Sequence, residues 1–330
     1  ETATPVKAVV VTMYEKGEPT GDDPGELQLW VERSDIKTRH DFPLGEFPIF
    51  QTMEDVLIVC VGGGIPNATA SIMALGADQR FDLSKSYWLI AGIAGGDPLD
   101  VSLGSAVWAR NIIDGDLAYE IDAREIEEDW PYGYLPLGAS RPAEKPEDIY
   151  TGWTLNTISF PLNEGLTLWA YEQSKSVELP DFPASKAFRE AFEGYPNAQQ
   201  PPSITIGETL SASTYWHGEK LNEWANDWVQ LYSDSTRNFM TSNMEDSGTL
   251  TALYRLSRTD QIDPDRILVL RTVSNYTTPP EGQPATWSAT APYPDEGRPA
   301  FEAAYLVGSK VIDQLVAQWE ETRDQIPSGL

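Results

Sequence analysis

The ten residues Tyr87 to Gly96, YWLIAGIAGG, decide how this chain is read. Tyr87, Trp88, Leu89, Ile90 and Ala91 form a short apolar run of the kind found in a strand covered on both faces. Gly92, Gly95 and Gly96 then read as a turn at its carboxyl end. In open α/β sheets ligands sit beyond the carboxyl ends of strands, and glycine lets a ligand approach bare backbone. Gly92, Ile93, Ala94 and Gly95 are therefore a candidate binding floor, with a plain glycine turn as the other reading.

Working outward, KAVVVTM (Lys7 to Met13) predicts a first strand that ends near Tyr14 and Glu15. Glu15 is thereby placed either to reach a site or to sit in a surface loop. Leu27 to Val31 predicts a strand, and Asp55 to Val61 another, followed by Gly62, Gly63, Gly64 and a helix over about Pro66 to Leu75. The glycine triplet at a helix start can cradle an anion, but it has neither the lysine of a P-loop nor the spacing of a dinucleotide fingerprint. Asp100 to Asn111 predicts a turn leading into a strand.

Downstream, helices are predicted over Pro161 to Glu178, Glu219 to Tyr232 and Pro299 to Glu321, with a helix entry over Thr241 to Leu256. Strands are predicted at Ile204 to Leu210 and Arg266 to Val273. Trp224 and Trp228 fall on the apolar stripe of their helix and read as core. The fold class is α/β: one domain over 1–330, a mixed central sheet flanked by helices, with loop insertions at about 125–150 and 179–203.

Composition narrows the function. A formal net charge of −28 and a pI near 4.2 make nucleic acid and anionic membranes poor partners. The longest apolar run, VLIVCV (Val56 to Val61), is strand-sized and far short of the roughly 18 residues of a membrane helix. The start at Glu1, followed by TATP, reads as a terminus left by signal cleavage or trimming, which predicts a secreted or periplasmic protein. Two histidines and one cysteine, Cys60 in an apolar run, imply no metal centre.

Five motifs taken together resemble the purine nucleoside permease family, itself related to the nucleoside phosphorylase and nucleosidase superfamily. They are IAGIAGGDP (Ile90 to Pro98), YEIDARE (Tyr119 to Glu125), GETLSASTYWHG (Gly207 to Gly218), NMED (Asn243 to Asp246) and RTVSNYTTPP (Arg271 to Pro280). The resemblance implies a nucleoside phosphorylase-like domain, no cofactor, a homo-oligomer, and purine nucleosides as ligands: inosine, guanosine and, less readily, adenosine.

It also implies roles. Met244 packs on the ribose and Glu245, followed by Asp246, accepts its hydroxyls. Asn275 handles the leaving base. An amide donates a hydrogen bond but cannot deliver a proton, so 6-oxopurines are preferred. In the segment around Thr209, Tyr215 or Trp216 stacks on the base and His217 reaches a sugar hydroxyl. Ile90 and Ile93 stand where phosphorylases place phosphate ligands, so water is expected as the nucleophile, oriented by Glu15 and Arg271. The competing readings are a non-catalytic binding component of nucleoside uptake and a phosphate-dependent phosphorylase.

Overall fold

A computed structural model describes residues 2–143, 145–149, 156–291 and 293–330. Its main sheet has ten strands: β1 (Ala8–Thr12), β2 (Ile36–His40), β3 (Ile49–Thr52), β4 (Val56–Cys60), β5 (Tyr87–Gly96), β6 (Ala106–Asp114), β7 (Ser159–Pro161), β8 (Ile204–Ser211), β9 (Phe239–Asn243) and β10 (Ile267–Tyr276). β5 pairs in parallel with β1 and β10 and antiparallel with β9. Pairing of β9 with β8, β8 with β6 and β6 with β10 closes β5, β9, β8, β6 and β10 into a ring. β1, β4, β3 and β2 extend the sheet from β5 on the other side.

The principal helices are α1 (Gln28–Glu32), α2 (Ile65–Gly76), α3 (Glu164–Ser174), α4 (Pro183–Glu190), α5 (Glu219–Tyr232), α6 (Asp246–Ser257) and α7 (Arg298–Ala317). Trp88 and Ile90 point into a core filled from α2 and α6, while Tyr87, Leu89 and Ala91 point into one filled from α1, α3 and α7. With both faces covered, β5 has no position for a polar side chain, and this is why its sequence is apolar without alternation. Cys60 is buried on β4, and burial pushes its thiol up to about 12.

The glycines of β5 do not form the expected turn. The strand runs on through Gly96, and they mark places where neighbouring side chains press onto its backbone. A Cβ on Gly92 would lie 2.9 Å from both Arg271 Nη1 and Glu26 Oε1, and one on Gly95 would lie 3.3 Å from Asn275 Nδ2. Leu27 to Val31, expected as a strand, is instead entered by helix α1 at Gln28, whose amide is capped by Glu15 Oε2 at 2.7 Å. An apolar run this short fits either state, and the cap comes from outside the run. The expected helix entry at Thr241 begins as strand β9; α6 starts only at Asp246.

The second stretch expected as an insertion carries α4, the first the short strand Tyr134–Pro136; residues 144 and 150 lie outside the described residues. Among the described residues no helix is long and apolar enough to cross a membrane.

Trp224 on α5 is 1% exposed, stacks on Tyr134 at 4.5 Å between ring centroids, and meets Trp216 and Trp228 edge-on or tilted. Trp224→Ala is expected to cost about 3–5 kcal/mol, read from the midpoint of urea unfolding.

Candidate active site

The site forms where β5 and β10 end and the N-termini of α2 and α6 meet. Gly248 lets α6 approach the first turn of α2: a Cβ there would collide with the Ile65 carbonyl and stand 2.8 Å from Thr69 Oγ1. The start of α6 is capped by Asn243, whose Oδ1 accepts from the Glu245 amide at 3.1 Å and the Asp246 amide at 2.9 Å. Glu245 is thus spared from capping its own helix. Its carboxylate accepts from the Gly64 amide at 3.3 Å, the Met244 amide at 3.2 Å and Arg271 Nη2 at 3.2 Å.

Arg271 sits on β10, on the face that also carries Ile267 and Val269 toward α2 and α6. Its Nε donates to Asp246 Oδ2 at 3.0 Å, its Nη2 to Asp246 Oδ1 and to Glu245, and its Nη1 to the Ile93 carbonyl at 2.8 Å. Four of the five N–H groups of a guanidinium are therefore engaged. Burial works against its charge, but Asp246, Glu245 and Glu26 outweigh burial and keep it protonated.

Glu26 completes the cluster, and it was not singled out in the sequence. It is 5% exposed; Oε2 accepts from the Met13 amide at 2.7 Å and Oε1 from the Ile93 amide at 2.9 Å. Burial pushes its carboxyl up to about 7, with Glu245 adding to the rise and Arg271 and the two amides opposing it. Burial likewise raises the Glu245 carboxyl, against the pull of Arg271. Glu15, by contrast, spends its carboxylate on the amides of Lys16, Gly25 and Gln28. The twelve residues between the end of the first predicted strand and Glu26 hid it, although a glutamate behind Pro24-Gly25 and ahead of an apolar run was a usable signal.

Asn275 is re-aimed by a bulge. Val273 pairs with Ala94 and Asn275 with Gly95, so Ser274 is the extra residue, its Oγ donating to the Ala94 carbonyl at 3.2 Å. Asn275 Nδ2 donates to the Tyr215 hydroxyl at 2.7 Å, and Tyr215 bonds the Tyr293 hydroxyl at 2.7 Å. Tyr215, Asn275, Tyr293, Trp287 and Phe188 line a small cleft of about 30 Å³.

The other residues singled out in the sequence separate into groups. His217 is held by Ser288 beside this cleft, and burial pushes its imidazole down to about 4. Trp216 is buried against Trp224 and Phe239 in the core. Thr209 is buried, bonded to the Thr241 carbonyl and to Asn243. Ile93 contributes its backbone, accepting from Arg271 and donating to Glu26, with Gly92 leaving room for both and Ala94 receiving Ser274. Met244 is half-buried beside Glu245.

The architecture is that of the nucleosidases. It superposes on the 5'-methylthioadenosine/S-adenosylhomocysteine nucleosidase of Neisseria meningitidis with a TM-score of 0.53 at 14% identity, covering 94% of this chain and 99% of that one. Futalosine hydrolase of Helicobacter pylori gives 0.55 at 13% identity, covering 94% and 98%. Within that architecture the family model for purine nucleoside permease (NUP) matches residues 5–327, and the chain belongs to this family. A purine nucleoside permease of Candida albicans is 27% identical over 324 residues, covering 96% of this chain and 76% of the relative. A probable purine nucleoside permease of Schizosaccharomyces pombe is 29% identical over 275 residues, covering 81% and 78%.

The raised Glu26 carboxyl has a consequence for stability. Between the ordinary glutamate range and about 7 the folded chain holds a proton that the unfolded chain has lost, so this group's contribution falls as pH rises through that window. Glu26→Gln cannot ionise. Relative to the parent it is expected to be more stable at pH 8 than at pH 5 by on the order of 1–3 kcal/mol, in paired urea titrations. The acceptor lost by the amide is common to both pH values and cancels.

Proposed function

We propose that the protein binds purine nucleosides at this site and hydrolyses their N-glycosidic bond, giving free base and ribose. The observation that carries the proposal is the buried cluster of Glu26, Glu245 and Asp246 around one guanidinium that is already engaged. Among the described residues Arg271 is the one cation that pairs with Glu245 and Asp246, and no lysine or arginine pairs with Glu26. A phosphate dianion entering here would meet carboxylates and a single unused guanidinium N–H, which disfavours phosphorolysis. Water meets no such barrier.

In this reading Glu245 accepts the ribose hydroxyls and its charge opposes the positive charge that develops on the sugar ring. Glu26, in its ionised form, takes a proton from water as the oxygen bonds to C1′. The electrons of the C1′–N9 bond leave with the purine as an anion, the Asn275 amide donates to the imidazole-ring nitrogen that gains negative charge, and the anion takes up a proton from solvent as Glu26 gives its own back. Tyr215 occupies that donor and must give way to the base. A second reading, nucleoside binding for uptake without turnover, is favoured by the names of the fungal relatives.

Incubation with inosine in phosphate-free buffer is expected to release hypoxanthine and ribose. The rate should rise with pH to a plateau above about 7, since ionised Glu26 is the active form, and Glu26→Gln should lower kcat by about 100-fold or more. Binding of inosine without release of hypoxanthine would leave the uptake reading. A rate that saturates with phosphate and yields ribose 1-phosphate would establish phosphorolysis.

Base preference supplies a separate check. Adenine is a poor leaving group unless an acid protonates it, and Asn275 has no such proton to give. The parent is expected to prefer inosine and guanosine to adenosine. Asn275→Asp should move the ratio of kcat/KM values toward adenosine by about tenfold or more, on the order of 1.4 kcal/mol, in paired kinetics on both substrates.

A further inference from the structure

The loop between β1 and α1 leaves the strand at Met13 and returns to it at Glu26. Glu15 binds both ends of that excursion. Its Oε1 accepts from the Lys16 amide at 2.8 Å and from the Gly25 amide, and its Oε2 accepts from the Gln28 amide at 2.7 Å. The two more distant donors lie one residue before and two residues after Glu26. The Glu26 amide itself donates to the Tyr14 carbonyl at 2.8 Å, next to Glu15 in the chain.

Gly25 belongs to the same device. A Cβ there would stand 2.7 Å from Glu15 Cα and 2.8 Å from Glu15 Oε1, so the peptide reaches the carboxylate only because the residue has no side chain. A half-buried carboxylate given wholly to backbone amides holds the course of a peptide. Here the peptide is the one that carries Glu26.

From this geometry we infer that Glu15 is a positioning residue: it fixes the 25–28 segment and so holds the Glu26 carboxylate on the Met13 and Ile93 amides beside Arg271. The inference rests on the proposed role of Glu26. It assigns Glu15 no contact with substrate or with water. Glu26 is faced by Arg271 on β10, Glu245 at the start of α6 and Cys60 on β4, while Asp246 is bound to the far side of the guanidinium. Of these, Cys60 also feels the charge of Glu15, so a variant that keeps that charge is the one in which a change in Glu26 reports the segment that carries it.

The test is the titration midpoint of Glu26, followed by carbon-13 NMR of the full chain labelled at the glutamate carboxyls. The Glu26 resonance is the one missing from Glu26→Gln. Glu15→Asp is the informative variant, because it keeps the charge but is one methylene too short to span the Lys16, Gly25 and Gln28 amides. Its Glu26 midpoint is expected to fall by about one unit or more toward the ordinary glutamate range, as a loosened segment admits water. Inosine cleavage should lose about tenfold in kcat with little change in KM, and the rising limb of the pH profile should move with the midpoint.

Glu15→Gln also removes a charge, which by itself lowers the Glu26 midpoint; it serves if the aspartate variant does not fold, with the loss of about tenfold in kcat at unchanged KM as its deciding readout. A parent-like Glu26 midpoint in a cooperatively folded Glu15→Asp or Glu15→Gln protein would overturn the inference. Absence of turnover in the parent would sink the hydrolytic reading alone, since the titration requires none.

Discussion

Arg271 holds the structure's main chemical asset in place. Its guanidinium joins the middle of β10 to the start of α6 through Asp246 and Glu245, and to β5 through the Ile93 carbonyl. Removing one partner from a buried ion pair costs about 3–5 kcal/mol, because the charge left behind has no water to receive it. The glycine at position 92, the approach of α2 to α6 at Gly248 and the Asn243 cap all follow from that junction: each makes room for it or frees a group that takes part.

The cluster also sets the chemistry available. Glu245 and Asp246 bond the guanidinium while Glu26 lies beside it on two backbone amides, and burial lifts the Glu26 carboxyl to about 7 and raises that of Glu245 as well. A carboxylate with that property is suited to taking a proton near neutral pH. The same excess of negative charge disfavours a second anion beside the guanidinium. Site and core are here one electrostatic object.

At the other end, the bulge at Ser274 separates two duties on a single strand. Before it, β10 delivers Arg271 to the α2–α6 face; after it, Asn275 turns to the cleft lined by Tyr215 and Tyr293. One extra residue in a parallel pair thus lets a ten-residue strand serve both the carboxylate cluster and the aromatic cleft.

The amino-acid sequence alone determined the α/β class, because apolar runs at β1, β4, β5 and β10 are too continuous for any strand with a wet face, and the stripes of α2, α5 and α7 repeat at helical spacing. It also determined the excess of acid and the family motifs. It did not determine whether Leu27 to Val31 is helix or strand, since that rests on a cap from Glu15, nor that β5 continues through its glycines, since that rests on side chains arriving from β10 and α1's lead-in. Which acid lies beside Arg271 was equally a tertiary matter. Residues 13, 26, 64, 93, 245, 246 and 271 converge only after the sheet is assembled, and local patterning carries no record of a contact that the loop at 14–25 and two helix N-termini must complete together.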